Sequence, residues 1–512
     1  MTDEEISALL RSDNPLVLIE APAGCGKTYQ AASYAREIAQ NLHGEKVLVL
    51  THTHAACSVV AERTQDFRRN VVIRTLDGLI YEIADAYRIA LGLPDDVAHW
   101  VRQDSNNRHL ELASKVSSFL AANPMVCQVL AKRYPIVICD EHQDSSPQQE
   151  AAVMSIHNGG AKLRIFGDPM QAIPGGQGQA AAVVQIWNRW ETLKQDSVFG
   201  EMETPHRWNE TNPALGEWIL AARHILRNGQ SISLNENLPE GLVLLNAENG
   251  AYPGQPFRLN PAANNWAPIN QHVNRDVGML CLAARGASVS GLRSTFKERL
   301  PIWEGHVRSR LEALVSTFEN EPATKDAQLD SFVDFLQYVL TGFTANFVAR
   351  LKQECENPSP NPGGTIPPQM KAMAQLIRDN QGHVGYANAA RHLRHLVENG
   401  TQGFNQIRVD YPRELGDLIQ LRKFSNASEG LAEIMQRRSL AHPKPPKKCL
   451  STVHKAKGLE AQQAILFACD SSHFQDNLAK RNLLYVALSR ATDRLTLVVS
   501  QNHPSPLLNM AT

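Results

Sequence analysis

"IEAPAGCGKTYQ" (residues 19–30) decides the reading of this chain. The apolar run Leu16, Val17, Leu18, Ile19 precedes it and a helical pattern follows, so the stretch reads as strand, loop and helix. Gly24 and Gly26 let backbone N–H groups approach phosphates at a helix N-terminus. Lys27 supplies a cation for the β- and γ-phosphates, and Thr28 a hydroxyl for magnesium. The strict pattern has glycine where this chain has Ala21. The nucleotide contacts expected here are Ala23, Gly24, Cys25, Gly26, Lys27 and Thr28.

A second stretch, "PIVICDEHQD" (135–144), supplies the acids that such a loop needs. A buried strand ends in Asp140 and Glu141, at the edge of an open sheet where ligands collect. Asp140 is the expected magnesium partner, and Glu141 the expected general base for an attacking water. Taken alone, the motif could also be an acidic turn after a core strand. Further strand-length runs occur at 46–50, 70–73 and 163–166, separated by helical patterns, and again at 464–468 and 495–499. Apolar strands alternating with helices predict parallel α/β sheets, one unit at each end of the chain. Between them, residues 291–448 have helical spacing in "FVDFLQYVL" and "ARHLRHLVENG", and the Pro-rich basic "HPKPPKK" (442–448) resembles a hinge.

The length of 512 residues predicts three or four units at about 150 residues each. A net charge of -1 gives no global basic field, so nucleic acid would bind in a local groove. The cysteines (Cys25, Cys57, Cys127, Cys139, Cys281, Cys355, Cys449, Cys469) have neither zinc spacing nor a disulfide pattern. The acidic start "MTDEEISALL" and the lack of a long apolar run predict a cytoplasmic protein without a membrane span.

"DEHQD" followed by "FGDPMQAI" (166–173) resembles the Walker B and third motifs of UvrD-, Rep- and PcrA-like superfamily 1 DNA helicases. The other motifs follow in family order: "LTHTHAA" (50–56), "RTLDGL" (74–79), "ETPHRWNETN" (203–212), "STVHKAKGLE" (451–460) and "LLYVALSRATDRL" (483–495). The resemblance implies an α/β fold with two RecA-like P-loop NTPase domains, ATP and Mg2+ bound between them, and movement 3′ to 5′ on single-stranded or tailed DNA. The first domain, 1A, would span 1–205, with a reduced 1B insertion at about 84–132. The second, 2A, would comprise 206–290 and 449–512, interrupted by a compact, mainly helical 2B insertion at 291–448. Carried over by position, Arg207 and Arg490 would reach the γ-phosphate from the second domain. Gln143 and Gln171 would sense it, and Gly458 and Glu460 would lie on the nucleotide side. Thr51, Thr75, Thr452 and His454 match positions along the DNA track, where phosphate contacts grip without reading sequence. Thr51 and Thr75 could instead merely cap strands, the lesser of the two readings. For His392 and His395, a solvated basic face outweighs a metal site.

Three departures from the family pattern stand out. No glutamine precedes Gln30, so the usual adenine contact is missing. The third motif continues "IPGGQGQ", placing Pro174, Gly176 and Gln177 where relatives stack bases on aromatic and arginine residues, a contact worth roughly 1–3 kcal/mol per base. The interval from Asp77 to Asp140 is also short. Besides an autonomous helicase, two readings stay open. One is a regulatory subunit that controls an OLD-type nuclease, as in Gabija-like anti-phage systems. The other is a degenerate helicase acting as a nucleotide-gated scaffold, against which the intact catalytic set argues.

Overall fold

A computed structural model describes residues 1–510 except 53–56, 58–59, 62, 65, 67–68, 104, 176–177, 236–237, 248–265, 276, 297–299, 304–308, 320–323, 361–362, 365, 381, 432 and 435–444. Gly176, Gln177, residues 442–444 of the hinge stretch and the second half of "LTHTHAA" therefore lie outside the described residues.

The first sheet has six parallel strands: β1 (Leu16–Glu20), β2 (Val47–Thr51), β3 (Val71–Thr75), β4 (Ile136–Cys139), β5 (Lys162–Gly167) and β6 (Val198–Glu201). Their order is β3-β2-β4-β5-β1-β6. Every residue of β1, β2 and β4 is buried, as expected for parallel strands covered on both faces. Helix Asp3–Arg11 begins with a capping box of Thr2 and Glu5. Its C-terminal end is fixed by the buried Arg164 of β5, which donates to the carbonyls of Leu10, Ser12 and Asn14 at 2.8–2.9 Å.

The remaining strands are β7 (Ile232–Ser233), β8 (Leu242–Ala247), β9 (Met279–Ala283), β10 (Leu340–Thr341), β11 (Arg408–Val409), β12 (Lys448–Thr452), β13 (Ala461–Cys469), β14 (Ala491–Ser500) and β15 (Leu508–Asn509). Five of them form a second parallel sheet in the order β12-β9-β13-β14-β8. The two large parallel sheets form a mixed α/β architecture consistent with two RecA-like domains. Both sheets belong to one compact unit, Met1–Val97, His109–Trp303 and Lys444–Thr512. Its two halves share a core: Ala23 and Met170 of the first half lie in one hydrophobic cluster with Trp208, Leu483 and Leu497.

A second compact unit comprises Ala98–Arg108 and Glu304–Pro443. It is mainly helical, with Phe332, Leu336, Leu351, Leu393 and Leu418 in its interior and one short antiparallel pair, β10 with β11. Residue 291, the expected start of the helical insertion, lies in helix Gly286–Thr295, and the chain stays with the first unit as far as Trp303. The reason lies in the backbone of 301–303. Trp303 N–H donates to the Leu450 carbonyl at 2.7 Å and Leu450 N–H to Pro301 at 2.8 Å, which ties this segment to β12. In the interval 84–132, helix Leu76–Ala86 runs into helices Val97–Gln103, Ser105–Ala122 and Pro124–Arg133.

Candidate nucleotide and DNA site

The phosphate loop joins β1 to helix Lys27–Gln40, whose N-cap is Gly26. Gly24 (φ 77°) and Gly26 (φ 84°) are both left-handed, a conformation that costs an L-residue roughly 1–2 kcal/mol. Space also demands glycine at 24, because a Cβ there would come within 2.6 Å of the Trp208 ring and 2.8 Å of Arg207 Cβ. Gly24→Ala is accordingly expected to lower nucleotide affinity roughly tenfold or more, from the backbone penalty alone. Titration with a fluorescent ATP analogue checks this, and unchanged affinity would contradict the packing argument.

Lys27 reaches the end of β4, 3.4 Å from Asp140 Oδ1 and ion-paired with Glu141. Asp140 is buried, and its N–H donates to Leu50 of the neighbouring strand at 2.8 Å. Glu141 has φ 55° and ψ 37°, a backbone state that most non-glycine residues avoid and that concentrates at functional sites. Burial pushes the Glu141 carboxyl up, but Lys27, with Lys457 beyond it, outweighs burial and holds it down to about 2. Glu141 is therefore ionised at neutral pH, as a general base must be. Gln143 links the two acidic motifs. Its Nε2 donates to Glu141 Oε2 at 2.5 Å and its Oε1 accepts from Asp168 N–H at 3.1 Å. Gln171 in turn donates to Asp168 Oδ2 at 3.0 Å.

The second half closes over these groups. Arg207 N–H donates to the Gly24 carbonyl at 3.0 Å, and its guanidinium meets Glu460 Oε2 at 2.8 Å and the Ser489 carbonyl at 2.7 Å. Arg490 is buried with its guanidinium on Val486 O (2.9 Å), Leu459 O (3.1 Å) and Ser489 Oγ (2.7 Å). Burial first, and then repulsion from Arg207, push its pKa down to about 9, while Glu141 attracts it. Gly458 is left-handed, with φ 82°. Lys457 bridges to Asp144 at 2.7 Å. Thr28 is the second residue of the loop helix and partly exposed.

Among the expected DNA contacts, Thr51 and Thr75 are register partners at the ends of β2 and β3. Thr75 also accepts Gly78 N–H at 3.0 Å and so caps helix Leu76–Ala86, and the Thr51 hydroxyl lies 3.3 Å from Cys57 Sγ. Thr452 accepts Lys455 N–H at 3.3 Å. His454 lines a shallow pocket with Ile173, Pro174, Val183 and Leu483. Burial, with Lys480 and Lys457 nearby, pushes its pKa down, so the ring is neutral at neutral pH. His392 and His395 bond to Gln369 and Asn399, and no metal-holding group of acidic, His or Cys side chains occurs among the described residues.

Sequence reasoning missed four side chains that join the halves: Glu20, Arg223, Asn482 and Tyr485. Tyr485 Oη accepts Ala23 N–H at 2.8 Å. The signal available for Arg223 was a charge in "GEWILAARHILRNG" at the spacing of the buried Ile219, Ala222 and Leu226. No helix among the described residues is long and apolar enough to cross a membrane.

Two family models match the chain: an AAA domain over residues 5–177 and a UvrD-like helicase C-terminal domain over residues 448–498. No curated protein matches it. The first match spans the phosphate loop and the carboxylates that face it, and the second contains the arginine closing over them. The chain thus carries domains that match those of UvrD-like superfamily 1 helicases, and together they indicate an ATP-hydrolysing DNA helicase.

Proposed function

We propose that the protein is a translocase that moves 3′ to 5′ on single-stranded DNA, with each ATP hydrolysed between domain 1A (1–205, with a reduced 1B near 84–132) and domain 2A (206–290 and 449–512). The helical insertion 291–448 takes the place of 2B. The observation that carries this reading is the convergence of Lys27, Asp140 and Glu141 from one sheet with Arg207 and Arg490 from the other. Ala23 to Thr28 cradle the phosphates and Glu141 takes a proton from the attacking water. Gln143 and Gln171 sense the γ-phosphate, while Gly458 and Glu460 border the nucleotide. Thr51, Thr75, Thr452 and His454 hold the DNA backbone.

Thr28 and Asp140 suit a magnesium ion, since a hydroxyl and one carboxylate beside a phosphate loop form the hard oxygen set that this cation takes. Bound there, Mg2+ would neutralise charge on the β- and γ-phosphates. Lys27 screens the same region and releases its carboxylates when phosphate oxygens take their place.

The test is steady-state hydrolysis with and without single-stranded, blunt, 3′-tailed and 5′-tailed DNA, followed by unwinding assays. Strong stimulation by single-stranded and 3′-tailed DNA is expected. A rate indifferent to every DNA would sink the translocase reading and favour a subunit that controls a partner nuclease, of OLD type in anti-phage defence. That second reading is favoured by Ile89, Met125 and Val129, large apolar side chains 65–86% exposed in the shortened interval before Asp140. Co-purification of a nuclease would support it.

A further inference from the structure

Arg223 lies on helix Pro213–Arg227 of the second half, yet its wholly buried guanidinium ends among carboxylates of the first. It pairs with Glu20, with Asp168 Oδ1 at 3.0 Å and with Glu201 Oε1 at 2.7 Å. Arg227 adds a second cation, 2.7 Å from Glu20 Oε1, and Trp190 Nε1 donates to the other Glu20 oxygen at 3.1 Å. The three acids stand at the ends of β1, β5 and β6, on the ligand edge of the sheet. Glu20 is the last residue of β1, next to the phosphate loop. Asp168 accepts the amide of Gln171.

We propose that Arg223 is a positioning residue for ATP hydrolysis: reaching across from the second half, it aligns the root of the phosphate loop through Glu20 and the γ-phosphate-facing Gln171 through Asp168. Buried ion networks are a poor source of net stability compared with apolar packing, so stability alone does not explain one at this edge. A fork-shaped guanidinium shared by acids on separate strands fixes their relative positions, which a point cation could not do as well. A second support from the same half acts on the same turn. Asn482 donates to Pro169 O at 2.8 Å and to Ala172 O at 2.9 Å, gripping both ends of the turn that carries Gln171. When the halves part, Gln171 loses both supports together, so the hydrolytic geometry exists only with the cleft closed.

This inference rests on the role given to Gln171 above. Its test is a double-mutant cycle on the full chain, with Arg223→Gln, Gln171→Ala and the combination assayed for ATP hydrolysis at saturating single-stranded DNA. Nucleotide affinity is measured alongside with a fluorescent ATP analogue. Arg223→Gln is expected to lower kcat about 10²-fold while affinity stays within about threefold, and Arg223→Lys to recover part of the loss. The double variant should be no slower than the slower single one, because both changes remove the same alignment. Effects that multiply, or a loss confined to affinity, would overturn the proposal. If Arg223→Gln does not fold, Asn482→Ala replaces it in the same cycle and is judged by the same criteria. Gln171→Ala at normal kcat would overturn the role of Gln171 and this inference with it. A slow Gln171→Ala whose effect multiplies with the partner change would overturn this inference alone.

Discussion

Truncating Arg490 to alanine is expected to lower kcat for DNA-stimulated ATP hydrolysis by about 10³-fold or more, with nucleotide affinity largely retained. The three acceptors on its guanidinium, two carbonyls and a hydroxyl, are all neutral. They fix the fork in place without cancelling its charge, and Arg207 beside it adds repulsion. Such a cation is stabilised most when negative charge develops on a transferred phosphoryl group, and being already oriented it needs no reorganisation at that moment. The loss should therefore fall on kcat. Arg490→Lys should recover little, since one ammonium cannot span the same three acceptors while facing the cleft. Single-turnover and steady-state hydrolysis, with an independent titration of nucleotide binding, would separate the effects. Near-normal turnover would remove Arg490 from the mechanism.

Glu141→Gln is expected to lower kcat roughly 10²- to 10⁴-fold, the span typical of removing a general base. Here too ATP should stay bound, because the change preserves shape and leaves an amide oxygen for Gln143 to donate to. Lys27, no longer ion-paired with a charged Glu141, becomes more available to phosphate oxygens, so affinity should hold or rise. Lys27→Ala should behave differently and abolish productive nucleotide binding. The pair of variants thus tests role against role in one titration. Equal loss of binding in both would show that the assignment of Lys27 to phosphate and Glu141 to water is wrong.

The strands that flank the phosphate loop and the acidic motif were legible because each is a short, wholly apolar run. Of the strands in the two large sheets, β6, β8, β9 and β12 were not read: "VFGE" is brief and ends in a charge, "LVLLNA" and "MLCLA" have no motif beside them, and "KCLST" has only two apolar residues. The residues that the structure brings together at the candidate site were legible where a motif fixes type and spacing, as for Lys27, Asp140 and Arg490. Arg223 escaped because its partners lie 22, 55 and 203 residues away along the chain, a pairing that only the packed halves create. Thr75 was legible only in part. Its local turn preference suggested a strand cap, but the bond it makes caps helix Leu76–Ala86, occupying the oxygen while leaving the proton of the hydroxyl for another acceptor.

The strand order of the second sheet has a consequence for how the chain is made. The first sheet is complete once Glu201 has been synthesised, because all six of its strands precede that point. The second is not. β8 and β9 are separated by β13 and β14, which arrive about 180–245 residues later, after the whole helical insertion. During translation the first half can fold at once, while two apolar strands wait with unpaired edges for partners still to emerge from the ribosome. A ribosome stalled before β13 would therefore display a complete first sheet beside an unfinished one, with open apolar strand edges of the kind that invite aggregation and engage chaperones.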